Sequence, residues 1–162
     1  MINTQSPSFI HYMLALGGLY ETQQRHPLAI KYFHKCLDGH ASLYGGNSID
    51  AAKSYLLNSI GFNYNAIGQY SDAEDYYKQS LAMYGEISHS GVSEDIANIL
   101  YNLGNNYHEL GQYSDAEDYY KQALEMNREI SQKGIREDIA CKLRNMGYEF
   151  KAMRLKKGAE DY

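Results

Sequence analysis

Gly68-Gln69-Tyr70-Ser71-Asp72-Ala73-Glu74-Asp75-Tyr76-Tyr77-Lys78-Gln79 recurs without change at residues 111–122, 43 residues further on. A repeat period between about 20 and 50 residues marks an array of one supersecondary unit, in which neighbouring copies bury a core that none could bury alone. Each copy opens with a glycine, a helix stop, and continues into Ser71-Asp72-Ala73-Glu74 or Ser114-Asp115-Ala116-Glu117. That pattern has the form of a capping box, in which the serine accepts from the glutamate N–H and the glutamate reaches back. Loss of such a serine costs about 1 kcal/mol.

Each copy is preceded by apolar residues at helical spacing, Leu56, Leu57, Ile60, Gly61 and Tyr64 in the first case. The unit is therefore a helix, a glycine turn and a second helix. Ser6-Pro7 starts an earlier unit as N-cap and first helical residue, because proline has no N–H to waste there. Its first helix extends to about residue 23, and His26-Pro27 opens a second that ends at Gly45-Gly46-Asn47, where glycine turns left-handed. Gly91-Val92 and Gly134-Ile135 close the later second helices. These signals predict an N-terminal tail over 1–6 and one array over 7–162. Its repeats run at about 7–47, 48–92, 93–135 and 136–162, the last truncated in its second helix.

Leu100-Tyr101-Asn102-Leu103-Gly104-Asn105-Asn106-Tyr107, followed by Gly111, Tyr113, Ala116, Tyr119, Tyr120, Ala123 and Leu124, resembles the tetratricopeptide repeat (TPR). Gly17, Gly61, Gly104 and Gly147 stand where the helices of a repeat cross, and Ala29, Ala73, Ala116 and Ala159 take the matching small position. The pairs Tyr32-Phe33, Tyr76-Tyr77 and Tyr119-Tyr120 are expected to fill the gap between adjacent units. The glycines are spaced by 44, 43 and 43 residues, against 34 in the usual unit. The surplus lengthens the second helix by about two turns, as in kinesin light chain-like arrays.

The resemblance implies an all-α fold, a right-handed superhelix of antiparallel helix pairs whose first helices line a concave groove. It implies a protein or peptide as partner. By motif position the groove residues are Leu14, Gly18 and Glu21; Asn58, Phe62 and Asn65; Tyr101, Asn102, Asn105, His108 and Glu109; and Arg144, Asn145, Tyr148 and Lys151. An asparagine amide donates to and accepts from a peptide backbone at once, and Phe62, Tyr101 and Tyr148 add apolar contact. Some TPR domains clamp a partner's C-terminal carboxylate with lysine, arginine and asparagine. Here Leu14, Gly18 and Tyr101 occupy clamp positions, so only Asn102, Asn105 and Arg144 remain as fragments of one.

Charge and composition narrow the function further. A net charge of −5 opposes general nucleic-acid binding, and the 17 tyrosines fall mostly on packing positions. The mostly apolar stretch over 9–20 is too short to span a bilayer, so neither membrane nor leader is expected and the cytoplasm is the default. The six histidines show no metal-ligand spacing, and no nucleophile elbow, P-loop or dinucleotide fingerprint occurs. No catalytic residue, metal or cofactor is assigned. His108 reads as a groove hydrogen-bonder or a structural histidine, and Cys36 and Cys141 as reduced thiols. Residues 140–162 carry six bases and three acids. Arg144, Lys151, Arg154, Lys156 and Lys157 there either receive an acidic partner segment or meet a following helix in a longer chain.

Two functions fit. The first is a non-catalytic module holding a partner segment in the groove. The second is an architectural, self-associating or regulatory segment of a larger protein, suggested by the unfinished fourth repeat and the apolar flank it would expose.

Overall fold

The computed structural model describes residues 6–88 and 91–132. They form six α-helices, α1 (Pro7–Thr22), α2 (His26–Tyr44), α3 (Ala51–Ala66), α4 (Tyr70–Ile87), α5 (Glu94–Glu109) and α6 (Tyr113–Gln132), and among the described residues there is no strand. Consecutive helices pair as hairpins, so the fold is all-α and of TPR type. The chain divides into two compact units, one through Ile87 with α1 to α4 and one from Ser88 with α5 and α6. The expected fourth repeat, with Arg144, Asn145, Tyr148, Lys151, Cys141 and the Gly134 stop, lies outside the described residues.

The first helices each have 16 residues, whereas α2, α4 and α6 have 19, 18 and 20. The long period therefore resides in the second helix. Ser6, Asp50 and Ser93 cap α1, α3 and α5, accepting from the N–H of Phe9, Lys53 and Ile96 at 3.2, 2.9 and 3.1 Å. Each such bond satisfies a donor that helix geometry leaves without a partner.

All three hairpins use one turn. Gly68 N–H donates to Asn65 O at 2.9 Å and Gln69 N–H to Tyr64 O at 3.0 Å, the paired bonds of a Schellman motif. Gly111 and Gln112 repeat this on His108 and Tyr107, at 2.9 Å each. The motif needs a left-handed residue, and Gly68 and Gly111 have φ of +77° and +74°. In the first hairpin the same place is held by Gln24, at φ +57°.

This turn corrects the capping-box reading. Ala73 N–H donates to Gln69 O at 3.0 Å, and Ala116 N–H to Gln112 O at 3.0 Å. The helix therefore begins one residue after the glutamine, and Ser71 and Ser114 lie inside the first turn and not at the cap. A second correction concerns the end of α4. It stops at Ile87, four residues before Gly91, although Gly91 does take a φ of +65°.

The repeated glycines do what their positions imply. A Cβ on Gly17 would lie 2.5 Å from the Phe33 ring, one on Gly61 2.9 Å from Tyr77, and one on Gly104 2.6 Å from Tyr120. Bare backbone lets the second helix lay an aromatic ring directly on the first. The neighbouring tyrosines also pack within their own repeat. Tyr20 stacks on Tyr32, Tyr64 on Tyr76 and Tyr107 on Tyr119, with centroids 5.2, 5.4 and 5.2 Å apart. Both aromatics thus lock the helices of one hairpin together, and Tyr76 also meets the preceding repeat, with its Oη 3.4 Å from His34 Nε2 and the two rings 5.7 Å apart, as expected of a residue between units. Offset ring pairs of this kind contribute about 0.5–1.5 kcal/mol each beyond area burial.

Candidate functional site

The face of α3 is set by its own periodicity. Ser54, Leu57, Ile60 and Gly61 are buried, which turns Tyr55, Asn58, Phe62 and Asn65 to the other side. Tyr55 is 51% and Phe62 45% exposed, and the two lie seven residues apart, two turns along one stripe. Between and beside them Asn58 and Asn65 are half-buried, and both already hold interactions within the protein. Tyr55 was not among the residues expected from the motif. Its signal in the sequence was the same seven-residue step back from Phe62.

On α1 the expected groove residues have other attachments. Glu21 Oε2 accepts from Asn63 Nδ2 at 2.6 Å, and Asn63 Oδ1 lies 2.9 Å from His26 Nδ1. Asn63 also donates to Ser59 O at 2.8 Å and has no exposed surface. It is a fully satisfied buried amide that fastens the first hairpin to α3, as buried polar groups must be. Asparagine recurs at this register as Asn106, also fully buried. Gly18 is half-buried, and Leu14 lines a cavity that Tyr55 also borders.

In the second unit α5 presents Tyr101, Asn102, Asn105 and His108, all half-buried, and exposed Glu109. Tyr101 packs against Tyr120 with centroids 5.6 Å apart, and Asn105 Oδ1 accepts from Tyr120 Oη at 2.6 Å. The ring that fills the Gly104 notch therefore also orients the α5 face. His108 Nδ1 stands 3.6 Å from a Glu109 carboxylate oxygen, and its ring meets Tyr113 edge-on at 5.4 Å.

Titratable groups in the first unit are tuned by packing. Burial pushes the Cys36 thiol up to about 11, and its Sγ lies 3.4 Å from the Ile10 carbonyl it donates to. Such a thiol is a poor nucleophile near neutral pH. Burial also lowers His34 against a smaller opposing effect of Asp38, and raises Tyr77, with the Glu21 carboxylate adding to the rise. Among the described residues no three His, Cys, Asp or Glu side chains are grouped so as to hold a metal ion. No described helix is long and apolar enough to cross a membrane.

The family model for the tetratricopeptide repeat matches residues 9–86 and 54–129, which together reach most of the chain. No curated protein matches it. Among solved structures, BtubC (BKLC) from P. vanneervenii superposes with a TM-score of 0.70 at 18% identity, over 82% of this chain and 51% of that one. A putative kinesin light chain with nearly identical TPR-like repeats from Podosopora anserina gives 0.66 at 15% identity, over 81% and 60%. The TPR2AB domain of yeast Sti1, in its complex with pHSP90, gives 0.64 at 21%, over 94% and 51%. The chain thus spans about half to three-fifths of the length of these structures.

Proposed function

The chain belongs to the tetratricopeptide repeat family, and from that premise we propose that it is a non-catalytic module binding a segment of another protein on the exposed faces of its first helices. The observation that carries this is the α3 stripe, where Phe62 and Tyr55 stay exposed beside Asn58 and Asn65. Rigid aromatics give contact area at low entropic cost, and amides read a backbone without demanding a sequence. The second unit offers similar residue types in Tyr101, Asn102, Asn105 and His108, and Arg144, Asn145, Tyr148 and Lys151 are proposed alongside them by motif position alone. The complex of the Sti1 domain with pHSP90 supports a polypeptide as the ligand class. Leu14, Gly18 and Tyr101 at the clamp positions favour an internal apolar segment over a terminal carboxylate.

Peptides selected from a random library on the full chain should contain at least one large apolar residue. Their affinity for Phe62→Ala should fall about tenfold, the loss of one exposed aromatic anchor, with the thermal midpoint unchanged. Equal affinity for wild type, Phe62→Ala and Tyr55→Ala would remove α3 from the site.

A further inference from the structure

A cavity of about 570 Å³ opens within the first unit, between the start of α1, the end of α2 and the start of α3. That size lies in the range of small-molecule sites, roughly 300–1,000 Å³, and exceeds what one side chain fills. Ile10, Leu14, Tyr44 and Leu56 make most of its wall apolar. Two residues at its polar edge, His40 and Ser48, each bury an atom that has no partner among the described residues, His40 Nδ1 and Ser48 Oγ. His40 is only 5% exposed. Buried polar atoms cost about 1–3 kcal/mol when unpaired, and native structures nearly always give them a partner.

The neighbouring bonds define what that partner must be. His40 Nε2 lies 3.2 Å from Asp50 Oδ2, and the other Asp50 oxygen accepts from Lys53 N–H at 2.9 Å. A neutral His40 therefore carries its proton on Nε2 and presents Nδ1 as an acceptor. The Asp50 carboxylate opposes an anionic head group. A cationic one is opposed by the Lys53 ammonium, whose Nζ lies 3.3 Å from Ser48 O. We infer that this cavity binds a small uncharged amphiphile, an apolar body whose hydroxyl or N–H head donates to His40 and pairs with Ser48. Tyr55 of the α3 stripe also lines the cavity, whereas His40 and Ser48, which select the head group, lie outside that stripe, so Ser48→Ala probes the cavity without altering the peptide-binding face.

The test is a fluorescence titration of the full chain at pH 8 with N-phenyl-1-naphthylamine, an uncharged apolar probe with one N–H, followed by displacement. The probe should bind with saturable one-to-one stoichiometry. Decan-1-ol should displace it at least about fivefold better than its methyl ether or decanoate, the worth of one hydrogen bond. Ser48→Ala should weaken the alcohol by about the same factor. Ala52→Trp, at an exposed position on the cavity rim, should abolish probe binding with the circular dichroism spectrum unchanged. Absence of saturable probe binding, equal displacement by alcohol and ether, or probe binding that survives Ala52→Trp would each overturn the assignment.

Discussion

One absent methyl group at position 61 decides how close α3 and α4 can come. A Cβ there would press on the Tyr77 ring at 2.9 Å and on the Ala73 carbonyl at 3.2 Å, and backbone cannot give way as a flexible side chain can. Gly61→Ala should therefore destabilise the protein by about 2 kcal/mol, although alanine is the better helix former. Gln24 is the converse case, a residue with a side chain at φ +57° where its counterparts are glycine. Gln24→Gly relieves the left-handed strain at some cost in unfolded-chain entropy, for a net gain of about 0.5 kcal/mol. Urea unfolding of both variants checks the opposite signs. The glycine and aromatic letters were legible in the sequence because they recur in phase. Gln24 was not, because conformation at that position is imposed by the turn's two hydrogen bonds and leaves no mark in the residue type.

At the scale of a helix, the start of α4 shows where local pattern misleads. Ser71 and Glu74 have capping-box spacing, but the Schellman turn at Gly68 hands the chain to Gln69, whose carbonyl takes the first helical bond. Ser71→Ala should accordingly change stability by less than about 0.5 kcal/mol. Ser93→Ala removes a cap that accepts from Ile96 at 3.1 Å and should cost about 1 kcal/mol. Equal losses in thermal or urea unfolding would restore the original reading. Helix number and the length surplus in α2, α4 and α6 were legible from punctuation and period. The exact cap was hidden because several polar residues in a row can each begin a helix, and only the preceding turn chooses. Asn63 was missed for a related reason. A buried amide is indistinguishable in sequence from a surface one until Glu21 and His26 are seen to meet it.

For the whole molecule, the proposed division between scaffold and recognition rests on what repeats. The identical stretches at 68–79 and 111–122 form turns and second helices, whose aromatics and alanines lock the hairpins. The first helices differ at matching positions, Asn58 against Tyr101 and Phe62 against Asn105. Three of the four α3 stripe residues, Asn58, Phe62 and Asn65, were legible from the motif. Tyr55 and the α1–α3 cavity were not, since exposure and empty volume depend on packing across three helices. The most direct measurement is an amide chemical-shift titration of the isotope-labelled chain with a selected peptide. Perturbations should cluster at Tyr55, Asn58, Phe62 and Asn65 on α3 and at Tyr101, Asn102, Asn105 and His108 on α5. Shifts confined to the outer residues of α4 and α6, such as Lys78 and Lys121, would contradict the assignment of recognition to the first helices.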